Sequence, residues 1–115
     1  MSPAKKTEHF KRLLEVRIAE IERAIVNSEQ EIRASSARQA DSADQAAAEY
    51  ERQALAHKAA VARQILQNLR QALERIVRGT FGECAECGND IELKRLEALP
   101  WARYCLKCQE LREHR

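Results

Sequence analysis

The four cysteines of this chain stand as two Cys-x-x-Cys pairs, Cys84/Cys87 and Cys105/Cys108, with 17 residues between the pairs. No other feature restricts the fold so strongly, because four thiols at this spacing are built to converge on one point. A two-residue gap lets a tight turn aim both sulfurs of a pair at one ion, and two such turns complete the tetrahedral thiolate shell that zinc prefers. A disulfide framework or a redox pair would need a different setting. Residues 1–20 carry scattered charges and lack the continuous apolar core of a secretory signal, so a reducing cytosol is expected, where paired cysteines bind metal more often than each other. A catalytic zinc keeps one position open to water, whereas four thiolates close the shell. One structural zinc ion is therefore expected at Cys84, Cys87, Cys105 and Cys108.

The remaining sequence has to supply a scaffold with little aromatic content. Of 115 residues, 44% are hydrophobic but only 4% aromatic, and three glycines and two prolines leave long uninterrupted stretches, which suits helices rather than sheets. From about Thr7 to Ser36 the apolar residues Phe10, Leu14, Ile18, Ile21, Ile25 and Ile32 recur at helical steps. A second stripe, Ala47, Tyr50, Ala54, Val61, Ile65, Leu69, Leu73 and Ile76, predicts a helix from about Ala43 to Arg78, with Gly79 as its stop. One apolar stripe in water needs a facing stripe, so the fold class expected is mostly α: a long antiparallel two-helix coiled-coil hairpin carrying a small four-cysteine zinc module and a short C-terminal helix.

Pairing Phe10 with Leu69, Leu14 with Ile65, Ile18 with Val61, Ile25 with Ala54 and Ile32 with Ala47 gives residue numbers that all sum to 79, which places the fold-back near residues 39 and 40. That point falls in the polar, small-residue stretch Ser35 to Ser42. The expected organisation is a flexible start over 1–6, a hairpin over 7–78 with its tip near 35–46, and a zinc-finger module over 79–115 whose terminal helix begins around Cys105. A helix of about 30 residues rises about 45 Å, so the tip is expected far from the metal. Leu73, Ile76 and Val77 outrun the first helix in this register, and the zinc module is expected to cover them through Leu96, Leu99, Trp101, Leu106 and Leu111.

Charge narrows the function. The net charge is +2, and it is spread evenly: eight basic and six acidic residues in 1–40, then six of each in 41–83 and again in 84–115. Phosphate affinity comes from clustered Lys and Arg displacing counterions, and no segment is a basic block. Lys94, Arg95, Arg103 and Lys107 more plausibly offset the thiolates. Direct sequence-specific DNA binding is therefore not expected, although a zinc-dependent nucleic-acid module using Lys94, Arg95, Trp101, Arg103 and Tyr104 is the rival reading, and a structural coiled-coil adaptor is a third. No apolar run approaches the roughly 20 residues of a membrane helix. His9, His57 and His114 are scattered, no nucleophile stands beside a base, and the chain is expected to be a monomer and not an enzyme.

At the fold-back stands Asp41-Ser42-Ala43-Asp44-Gln45-Ala46. Local physics accounts for it: Ser42 caps the second helix, Gln45 closes the capping box, and the helix dipole favours both acids. An acidic tip on a rigid arm is also a way to carry carboxylates to a recessed target. Together with Phe81-Gly82-x-Cys84-x-x-Cys87-Gly88, Ile91, Arg95-Leu96-Glu97-Ala98-x-Pro100 and Cys105-x-x-Cys108, the pattern Asp41-x-x-Asp44-x-Ala46 resembles the DksA/TraR family, the DnaK suppressor proteins of bacteria. The resemblance covers nearly the whole chain from Phe10 onward, without the long N-terminal extension of larger members.

It implies a cytoplasmic bacterial regulator that binds RNA polymerase rather than DNA. The coiled coil would enter the secondary channel, Asp41, Asp44 and Ala46 would form the working tip near the catalytic centre, and promoter complexes would change in stability. It also raises the stringent-response alarmone ppGpp as a partner. Here the chain departs from the family, since Asn68, Leu99 and Gln109 stand where strongly responsive members carry basic residues.

Overall fold

A computed structural model describes residues 3–39 and 45–114, with side chains for 7–34 and 45–114. Four helices follow in order, α1 (Pro3–Gln39), α2 (Gln45–Arg78), α3 (Leu93–Ala98) and α4 (Leu106–Glu113). The only strand-like feature among the described residues is an isolated antiparallel bridge between Glu83 and Asp90. The chain forms two compact units, one of Met1–Arg17 with Asn68–Arg115 and one of Ile18–Gln67.

Helix boundaries correct the sequence expectation at three places. The first helix, expected from about Thr7, begins at Pro3, because proline at a first helical position lacks only an N–H that has no partner there, and its fixed φ suits the helix. At the other end α1 continues through Ser35 and Ser36 to Gln39. That stretch is polar but holds neither glycine nor proline, so polarity alone does not stop it. The short helix α3 between the cysteine pairs was not anticipated. The end of α2 is as expected: Gly79 has φ +81°, its N–H donates to the Ile76 carbonyl at 3.2 Å, and the Thr80 N–H donates to the Arg75 carbonyl at 2.9 Å. These are the two bonds of a Schellman stop, and they need a left-handed residue between them.

In the unit Ile18–Gln67, α1 presents the expected stripe, with Ile18, Ile21 and Ile32 half-buried and Ile25 buried, and Ser28 adds a small buried position between. The stripe expected for α2 is wrong in this half. Ala47 and Ala54 are exposed, as are Tyr50 at 78% and Val61 at 46%. The inward face is instead Ala48, Arg52, Leu55, Ala59, Ala62, Ile65 and Leu66. Alanine occurs on every side of this helix, so periodicity could not choose among faces, and Arg52 interrupts the true stripe with a charge that lies half-buried while its head pairs with Glu49.

The register moves accordingly. Glu29 of α1 pairs with Arg63 of α2, residue numbers that sum to 92 rather than the expected 79. Ile25 and Ala59, and in the other unit Leu14 and Leu69, are among the buried core. The ion pair of Arg63 with Glu29, at 2.8 Å, ties the two helices within the Ile18–Gln67 unit.

In the unit of Met1–Arg17 and Asn68–Arg115, the core gathers Phe10, Cys84, Ile91, Leu96, Ala102, Cys105 and Cys108, with Leu13, Ile76, Phe81, Leu99 and Tyr104 packed against it. Leu96 and Leu99 share this cluster with Ile76 of α2, as expected. The central contributor is Phe10, 2% exposed and 5.2 Å from the Phe81 ring. Val77, Leu106 and Leu111 do not join the core, at 86%, 51% and 56% exposure. Phe10 is in this cluster instead, with Ile76 and Phe81 packed against it.

Candidate metal centre

Each cysteine pair is shaped by a different local structure. Around the first, the Cys84 N–H donates to the Asn89 carbonyl at 2.8 Å, the Gly88 N–H to the Cys84 carbonyl at 2.9 Å, and the Ile91 N–H to the Gly82 carbonyl at 2.7 Å. This is a tight knuckle, and Gly88, at φ +77°, supplies the left-handed corner. The second pair opens α4. Cys105 is its N-cap residue, the Gln109 N–H returns to the Cys105 carbonyl at 2.9 Å, and one helical turn separates Cys105 from Cys108.

Two bridges hold the pairs together. The Ala85 N–H donates to the Arg103 carbonyl at 2.8 Å. The carboxylate of Glu92 accepts from the Leu106 N–H, with its two oxygens at 3.2 and 3.3 Å, so the free end of α4 is capped from beside α3.

All four Sγ atoms lie within 4.8 Å of one another, and Cys87 Sγ is 3.9 Å from Cys105 Sγ. Zinc–sulfur bonds of about 2.3 Å in a tetrahedron require sulfur–sulfur edges of about 3.8 Å, so the donor set fits the ion. Cys84, Cys105 and Cys108 are buried and Cys87 is exposed. Burial raises the Cys84 thiol, but main-chain N–H groups of Cys87, Cys105 and Glu86 outweigh it and hold the group down to about 6. The Cys108 thiol is pushed up to about 12, first by its bond to Cys105 and then by burial. What zinc supplies when bound is a four-way crosslink and a charge that makes thiolates of all four groups. The donor set is made of cysteines alone; His9 sits 3.2 Å from Glu97.

Several cations around the centre are engaged locally. Arg95 Nε donates to the Tyr104 carbonyl at 3.0 Å, and Arg112 reaches Glu86 at 3.3 Å while stacking 4.4 Å over the Tyr104 ring. Glu92 and Arg112 escaped the sequence reading, since nothing in their spacing marks a cap or a stacked cation. Asn68, Leu99 and Gln109, far apart in sequence, line one cleft of about 630 Å³ with Arg95, Trp101 and Arg103, and Glu110 and Glu113 close it. The face proposed for nucleic acid is therefore interleaved with carboxylates.

Of the expected tip, Asp41 and Asp44 lie outside the described residues, as does the Ser42 cap. Ala46 is the second residue of α2 and is exposed.

Fold and site together define a mostly helical protein with a C4 zinc module. Residues 79–114 match the prokaryotic dksA/traR C4-type zinc finger. The RNA polymerase-binding transcription factor DksA of Caulobacter vibrioides is 33% identical over 94% of this chain and 76% of its own length, and the solved structure of transcription factor DksA2 from Pseudomonas aeruginosa superposes with a TM-score of 0.91 at 31% identity, over 97% of this chain and 86% of that one. The chain belongs to the DksA/TraR family. An uncharacterised protein of Aquifex aeolicus is 51% identical over 45 residues, which is 39% of this chain and 31% of that relative.

Proposed function

We propose that this protein is a non-enzymatic bacterial transcription regulator that binds RNA polymerase, reaching the secondary channel with the end of its helical hairpin. The observation that carries this reading is the near full-length similarity to a factor named for binding RNA polymerase, together with the Asp41-x-x-Asp44-x-Ala46 pattern between the two long helices. In this reading Asp41 and Asp44 act electrostatically near the polymerase catalytic centre, and the methyl side chain of Ala46 keeps the adjoining helix surface narrow. The zinc module works as the foundation of the arm, in the cytoplasm, and the even charge distribution supports a protein partner over DNA.

The neutral lining contributed by Asn68, Leu99 and Gln109 supports a promoter response that depends little on ppGpp. The test is in vitro transcription with purified polymerase, with and without the alarmone. Asp44→Asn is expected to keep polymerase binding while losing its effect on promoter complexes. Full promoter activity in that variant would sink the tip assignment, and tight, salt-sensitive binding to naked DNA would favour the nucleic-acid reading instead.

A further inference from the structure

A second cleft, of about 360 Å³, opens between the last turns of α2 and the zinc module. Arg75, Arg78 and Glu74 line it from the helix, and Arg103, Glu83 and Ala85 from the module. Its charges are not balanced pair by pair. Glu74 is committed to Arg78 at 2.7 Å. Arg75 is half-buried and makes one long contact, from Nη2 to the Trp101 carbonyl at 3.4 Å. Arg103 lies 5.7 Å from the Tyr104 centroid, near the outer limit for a cation over a ring. Among the described residues, neither Arg75 nor Arg103 has a carboxylate within ion-pair distance. Burial, and then the charge of Arg103, push Arg75 below its usual range, as expected of two cations lining one cleft.

We propose that this cleft binds a phosphate dianion, free or carried by a nucleotide, between the guanidiniums of Arg75 and Arg103. Two planar forks with spare N–H donors match the charge and the several acceptor oxygens of a phosphate monoester, which a lone lysine would not. Arg75 is half-buried at the cleft wall, and partial shielding from water strengthens its contact with an anion. It shares only Arg103 with the larger cleft around Asn68, so it is a separate site and stands independently of the polymerase reading. Glu83 works against the bound anion, which predicts opposite effects from neutralising the two signs.

The experiment is an NMR titration of the zinc-loaded full chain with orthophosphate, and separately with adenosine monophosphate, at constant ionic strength. Saturable shifts are expected at the amides of Ala85 and Arg103 and at the Arg75 side chain. Arg103→Gln, at an exposed position, should weaken binding about tenfold, and Glu83→Gln should tighten it. Tighter binding of the nucleotide assigns the site to a carried phosphate, and equal affinities assign it to the free ion. Shifts that spread over the surface without saturating, or that survive Arg103→Gln unchanged, would overturn the proposal.

Discussion

Phe10 shows how one residue can join segments that the sequence keeps apart. It sits on α1, yet it packs 5.2 Å from Phe81 in the same cluster as three of the zinc ligands. It is one of the largest fully buried side chains in the described residues. Phe10→Ala should therefore cost about 3–5 kcal/mol, the usual penalty for emptying a buried aromatic site, a large share of a small protein's stability. Urea denaturation of the zinc-loaded protein would measure it; a loss under 1 kcal/mol, about the size of a surface change, would show that the cluster does not depend on this ring. Phe10 was legible as an apolar stripe residue, but its partner was not. The expected facing residue was Leu69, and the difference follows from a register that alanine-rich α2 leaves ambiguous.

Among the elements, the end of α2 carries the most exacting local demand. Gly79 must be left-handed for the Ile76 and Arg75 carbonyls to receive their bonds, and a side chain added there would meet no neighbour within 4 Å. The effect of Gly79→Ala is thus purely backbone strain, about 1 kcal/mol. Thermal melting should show a corresponding fall in midpoint, and an unchanged midpoint would mean that the stop tolerates another conformation. This stop was readable because glycine at a helix end has a mechanism behind it. The start of α4 was half readable: Cys105 marked the place, but Glu92, 14 residues before Leu106, supplies the cap. A carboxylate acting through space leaves no local pattern. The same holds for α3, a six-residue helix too short to show a period.

At the scale of the molecule, stability is divided between metal and helix packing. Three of the four zinc ligands belong to the apolar core of the unit that also holds Phe10 and Ile76, so removing the ion both opens the crosslink and uncovers that core. Zinc binding to small cysteine modules is worth on the order of 10–16 kcal/mol and is coupled to folding. Chelation should abolish dispersed signals from 79–114 while much of the helical circular dichroism remains. Acid should act in the same direction, because protons compete with zinc for thiolates: affinity falls as pH falls, and a colorimetric zinc-release assay would follow it. Indifference of both folding and zinc release to chelator would contradict the division.

What the sequence determined by itself was the set of elements and the metal site. Two Cys-x-x-Cys turns specify a tetrahedral donor set through covalent spacing alone, and long apolar periods interrupted by few glycines or prolines specify helices through local geometry. Which faces of those helices meet was decided only in the tertiary structure. The α2 face of Ala48, Leu55 and Ala59, the insertion of Phe10 beside Phe81, the capping of α4 by Glu92 and the cleft that Arg75 and Arg103 line together all depend on residues far apart in the chain. Periodicity reports a direction around one helix, and it is ambiguous when alanine lies on every side; the packed structure turns Ala48, Leu55 and Ala59 inward and leaves Tyr50 and Val61 exposed.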